Sequence, residues 1–142
     1  MKSNYQITES AIINAETSKV FGILEDVGNW HLWTKSITKI SFIDHCKFET
    51  NGKVCIVQPK LIPAIWTITE INKNRSFTWR TKTLGVTITA KHLIKNVNKK
   101  TLAELHMSYE GFLSGLIYKL SSKLTKKYLN MEILGLKKEC EK

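Results

Sequence analysis

The strongest pattern in the chain lies near its C-terminal end. Between Phe112 and Cys140 there is no proline, and Leu113, Leu116, Ile117, Leu120, Leu124, Tyr128 and Met131 recur at steps of three and four. That spacing predicts one α-helix with an apolar stripe, and Lys119, Lys123, Lys126, Asn130 and Lys137 fall on its far side. At ~1.5 Å per residue it would be roughly 43 Å long. A one-sided helix of that length is unstable alone, so it must lay its stripe on something large.

The chain ahead of it reads mostly as strands. Tyr5, Ile7, Glu9, Ala11 and Ile13 share one parity, and Ile12 breaks the alternation, which predicts a bulge or twist near Ser10. Asn14 can cap a short helix carrying Val20, Phe21 and Leu24, and Glu16 suits the positive end of its dipole. Gly28-Asn29 interrupts, and Trp30 to Trp33 continues as a second short helix or turn. Further strands are predicted over Ser36–Asp44, Lys53–Gln58, Ala64–Ile71, Ser76–Lys82, a run from Val86 through Ile94, and a last one from Thr101 to Glu110. Asn51-Gly52, Asn72–Asn74, Leu84-Gly85 and Asn96–Lys100 supply turns, and Pro59 and Pro63 bracket a loop. Short hairpin links imply an antiparallel sheet. The prediction is an α+β fold: a curved seven-stranded antiparallel sheet wrapped around a long C-terminal helix, with two short helices between strands 1 and 2. Residues 1–142 form a single domain by size. A gap between such a sheet and its helix is a natural site for an apolar ligand.

Composition narrows the classes. No run approaches the ~18 apolar residues of a membrane span. Met1 to Tyr5 is polar and shows no secretory signal, so a cytoplasmic location is expected. Cys46, Cys55 and Cys140 have neither metal nor redox spacing and are expected to be free thiols. The net charge of +10 is unevenly placed: residues 1–50 carry 5 Lys and 6 acids, whereas residues 51–142 carry 17 Lys+Arg and 6 acids. That bias can attract an anionic membrane, nucleic acid or an acidic ligand. The basic residues are nearly all lysine and scattered, so a lysine-rich solvated surface is the expected reading; nucleic acid is not an expected partner, and a weak anionic-surface contact stays open. No metal or cofactor is expected: His31, His45 and His106 share no ligand spacing, and there is no HExxH, P-loop, GxGxxG or GxSxG.

Several local stretches resemble the SRPBCC superfamily, the helix-grip group that includes START lipid-binding domains, plant pathogenesis-related allergens and polyketide cyclase-like proteins. They are Ile12 to Leu24 with its Ala15 helix entry, then Asp26, Val27, Asn29-Trp30 and Trp33, like the D-V-x-x-W-x-x-W of bacterial members. Gly52, Phe77-x-Trp79, Gly85, His92, Thr101 and Glu110-Gly111-Phe112 follow in the same order. Glu16 departs from the proline that many relatives carry after the alanine, which touches only the helix start. The resemblance implies a deep cavity between sheet and long helix that takes lipophilic small molecules. Some members are cyclases, aromatases or hydrolases, and no single catalytic set carries across the superfamily.

Candidate chemistry centres on His92, which by alternation points with Val86, Ile88, Ala90 and Ile94 toward the cavity. There it can bond a ligand or act as general acid/base, or simply be a core histidine tied to a carbonyl. Glu110 is the second catalytic candidate, with structural pairing to Arg80 or a lysine as its plainer role, and Glu70 is expected to pair with Arg80. Trp30, Trp33, Trp66 and Trp79 would favour flat or ring-containing ligands, or merely fill the core. Leu105, Met107, Tyr109, Leu116, Leu120 and Leu124 are expected to line the wall or floor. Three functions follow in order of support. The first is binding of a small lipophilic or aromatic molecule without catalysis. The second is a cyclase, aromatase or dehydratase in the same cavity. The third is a basic surface module for nucleic acid or anionic lipid. Oligomeric state is not legible.

Overall fold

The computed structural model describes residues 5–142. Strand β1 (Tyr5–Ile13) leads into helix α1 (Thr17–Glu25) and a 3₁₀ helix (Val27–Leu32). Six strands follow: β2 (Lys39–Phe42), β3 (Lys53–Val57), β4 (Ala64–Asn72), β5 (Ser76–Thr83), β6 (Val86–Val97) and β7 (Lys100–Glu110). Helix α2 (Ser114–Cys140) ends the chain. The strands form one curved antiparallel sheet in the order β1-β7-β6-β5-β4-β3-β2, and α2 closes its concave face. Consecutive strands β2 to β7 are neighbours, as short turns require. Leu84 and Gly85 at φ 44° and 76°, and Asn98 and Lys99 at φ 50° and 69°, make two-residue hairpins whose twist matches the strands they join.

Three local readings differ from the sequence pattern. β1 pairs with β7 in one unbroken register, from Tyr5 opposite Tyr109 to Ile13 opposite Thr101, with no bulge at Ser10. Ile12 simply faces outward at 44% exposure, and its carbonyl accepts from Lys137 Nζ at 2.6 Å. α1 is capped by the backbone of Glu16 rather than by Asn14, whose N–H donates instead to Glu141 Oε2 at 2.8 Å. β2 covers only Lys39–Phe42, because Thr34, Ser36 and Ile37 are buried in the turn before it, where Thr34 and Ser36 hydroxyls bond each other at 2.7 Å.

The larger difference is the rotation of α2. Leu116 and Leu120 are exposed, the latter by 74%, while Thr125, Tyr128, Leu129, Glu132, Ile133, Leu136 and Cys140 are buried. The buried stripe is turned by roughly one residue, ~100°, from the apolar one. Ile117 and Tyr118 in the first half of α2 pack partly buried against the core, while the helix's fully buried positions lie in its C-terminal half. There it packs against β1 and α1, close enough that a Cβ on Gly135 would lie 2.2 Å from the Trp33 carbonyl oxygen. Gly111 makes the entry: its φ of 115° and an approach that would put a Cβ 2.3 Å from Gly85 O both demand glycine.

Candidate functional site

The N-terminal half of α2 spans the open concave side of the sheet, and beneath it lies a cavity of about 510 Å³. The sheet wall is apolar: Trp66 from β4, Trp79 from β5, Ile88 and Ala90 from β6, and Met107 and Tyr109 from β7. These positions follow from pleating, since alternate residues of paired strands share a face; Ala90 lies opposite both Trp79 and Met107. Leu61, Ile62, Pro63 and Leu84 surround the mouth, with Ile62 and Leu84 largely exposed. Trp30 closes the far end, held by an indole N–H that donates to Leu24 O at 2.9 Å. A separate depression of about 570 Å³ beside α1, lined by Thr17, Lys73–Arg75 and Leu93–Asn96, contains no aromatic ring or acid.

The helix wall is different. Ile117, Ser121, Thr125, Tyr128, Leu129 and Glu132 face the cavity at steps of three and four, so hydroxyls and one carboxylate run along it. Ser121 Oγ donates to Ile117 O at 2.7 Å. Tyr109 O–H donates to Thr125 Oγ1 at 3.3 Å, and burial raises the phenol above its ordinary pKa, its hydrogen bonding with Thr125 and Ser121 partly offsetting this. Tyr128 O–H donates to Pro59 O and ties the β3–β4 loop to the helix.

At the closed end sits His92, 4% exposed, stacked on Phe77 at 4.1 Å between ring centroids and edge-on to Trp30 and Trp79 at 5.4 Å. Its Nδ1 lies 3.3 Å from Phe77 O. A carbonyl can only accept, so Nδ1 carries the proton and Nε2 is the nitrogen turned to the cavity. Nε2 is 3.5 Å from Glu132 Oε1, which makes no hydrogen bond although it is buried.

Trp30, Trp66, Trp79, Ile88, Ala90, His92, Met107 and Tyr109 therefore all line the cavity. The other candidates do not. Trp33 packs behind Trp30 and under Gly135. Leu105, opposite His92 in the ladder, is buried in the core. Leu116 and Leu120 face outward and Leu124 is half-buried off the lining, because the helix is rotated. Glu110 is exposed at the end of β7, away from the cavity, and Glu70 accepts from Asn72 Nδ2 at 3.1 Å instead of meeting Arg80. Glu132, Ser121 and Thr125 were not among the sequence candidates. Their signal was available, since Glu132 is the only acid between Glu110 and Glu139 and shares a helix face with both hydroxyls. Among the described residues no group of three or more His, Cys, Asp or Glu could hold a metal ion, and no helix is long and apolar enough to cross a membrane.

A family model described as polyketide cyclase/dehydrase and lipid transport matches residues 5–141. A comparison with curated proteins finds no match. Among solved structures, hypothetical protein jhp0584 from Helicobacter pylori superposes with a TM-score of 0.81 at 13% identity, covering 97% of this chain and 89% of that one. TTHA0849 from Thermus thermophilus gives 0.73 at 15% identity over 94% of each chain. A START superfamily protein from Mycobacterium smegmatis gives 0.72 at 12% identity over 94% of this chain and 97% of its own. At these identities the likeness is one of fold.

Proposed function

The chain belongs to the polyketide cyclase/dehydrase and lipid-transport family, and from that premise we propose that it binds a small lipophilic molecule in the cavity between sheet and α2. The observation that carries this reading is the cavity itself: about 510 Å³, walled by three tryptophans, with a closed end at Trp30 and a mouth at Leu61–Pro63 and Leu84. Apolar walls with a few convergent polar groups are what a small-molecule site needs. Flat rings or branched chains suit the indole faces. The test is native mass spectrometry on freshly purified protein, with organic extraction of any adduct. Ala90→Trp puts an indole into the empty space opposite Trp79 and Met107. It is expected to remove an adduct, or to weaken an added lipophile by tenfold or more, while the thermal midpoint moves little. Undiminished binding in a folded Ala90→Trp protein would place the ligand elsewhere.

A second reading concerns the mouth, and one observation favours it. Residues 111–131 contain Lys119, Lys123, Lys126 and Lys127 and no acid, and Phe112, Leu116 and Leu120 are exposed on the same stretch. An apolar edge set among lysines suits contact with an anionic lipid surface, from which a lipophile would pass into the cavity.

A further inference from the structure

The closed end of the cavity holds a carboxylate oxygen with nothing to accept. Glu132 is 8% exposed, its Oε1 makes no hydrogen bond, and His92 Nε2 lies 3.5 Å from it. A buried acceptor left unpaired costs free energy, so such a group either receives a donor when the protein is in use or is a defect. Its position argues against a defect, because it faces the cavity from the same helix wall as Ser121 and Thr125. Resting on the reading that the cavity takes a lipophile, we propose that Glu132 Oε1, beside His92 Nε2, receives the hydroxyl group of an amphiphilic alcohol or phenol that enters hydroxyl end first.

The pair selects among polar ends by elementary hydrogen-bond chemistry. With the proton on Nδ1, Oε1 and Nε2 are both acceptors, and a hydroxyl donates its one proton to Oε1. A carboxylate end has no donor and meets the like charge of Glu132. No lysine or arginine lies at the closed end to offset that repulsion, since the one such residue among the lining residues is Lys82, next to Thr83 and Leu84 at the mouth. An ammonium end can donate to both acceptors, but it must give up its hydration and pass Lys82 on entry. Depth is consistent with a tail that fills the rest of the cavity. Ile88, Ala90 and His92 descend β6 on one face, and Ile117 to Glu132 descends α2 by ~1.5 Å per residue, or roughly 22 Å.

The experiment compares three probes with one decyl chain: decan-1-ol, decanoate and decylammonium. Binding is followed by the fluorescence of Trp30, Trp66 and Trp79, which all line the cavity. The intact protein should bind decan-1-ol about tenfold or more tighter than decanoate, the scale of one hydrogen bond to a charged group. Glu132→Leu should collapse that ratio to near one, through weaker alcohol binding and stronger decanoate binding. Glu132→Gln, which keeps an acceptor and loses the charge, should hold the alcohol while admitting decanoate. Thermal unfolding checks that each variant is folded; replacing an unpaired buried carboxylate with leucine should not lower the midpoint. An alcohol-to-decanoate ratio unchanged in Glu132→Leu, or decylammonium as the tightest ligand, overturns the assignment while leaving the cavity reading standing. Failure of the intact protein to bind any of the three removes both.

Discussion

At the scale of single residues, environment decides what a reactive group can do. Cys140 is fully buried at the end of α2, and burial pushes its thiol up to about 11. The thiolate is the reactive form, so at pH 7.5 this cysteine should be inert. Cys46 and Cys55 are partly exposed. Mass spectrometry after maleimide treatment should find two labels on the native protein and a third only after unfolding. Early labelling of Cys140 would mean that the α2 terminus opens readily. Trp66, Trp79 and His92 were legible at this scale because strand parity assigns a side chain to a face without knowing what lies there. Glu132 was missed although it shares a helix face with Ser121 and Thr125, since an acid on a lysine-rich helix reads first as a surface residue. Its meaning depends on which way the helix is turned.

Elements carry the next layer of argument, and α2 is the one whose orientation the pattern missed. Hydrophobic periodicity assumes that the apolar stripe is the buried one. Here Leu116 and Leu120 face outward, and the inward face over the cavity includes Ser121, Thr125 and Glu132. A helix wall that borders a cavity is not required to be apolar, so the period gave the helix and its length but not its rotation. The seat of the C-terminal half fixes that rotation, and Gly135 is the tightest point of the seat. Gly135→Ala gains helix propensity of up to ~1 kcal/mol but drives a methyl into the Trp33 carbonyl, an overpacking cost of roughly 1–3 kcal/mol. The net effect should be a lower thermal midpoint. Gly22→Ala in α1 meets nothing within 4 Å and should raise it instead. Two variants that shift together would show that propensity, not the close approach, governs both sites.

At the scale of the whole molecule, charge and cavity fall on the same side. The excess of lysine over acid in residues 51–142 is visible without a structure, yet only the fold brings the acid-free stretch 111–131 beside a cavity mouth rimmed by Ile62, Leu84 and Lys82. Lysines near an anionic bilayer contribute about 1 kcal/mol each, and the contribution fades beyond a Debye length, ~8 Å at physiological salt. Cosedimentation with vesicles of phosphatidylserine and phosphatidylcholine should therefore capture the protein at low salt and release most of it at high salt. Vesicles of phosphatidylcholine alone should capture little. Replacing Lys119 and Lys123 with serine should weaken capture by about thirtyfold, the equivalent of ~2 kcal/mol. Lys91 lies on the opposite face of β6 from Ala90 and His92, so Lys91→Ser should leave capture nearly unchanged. Phe112→Ser with Leu116→Ser should remove the part of the affinity that survives salt, because those side chains would insert rather than screen. Equal losses from Lys91→Ser and from the Lys119 and Lys123 pair would mean that net charge alone attracts the bilayer, and the mouth would then have no special part in it.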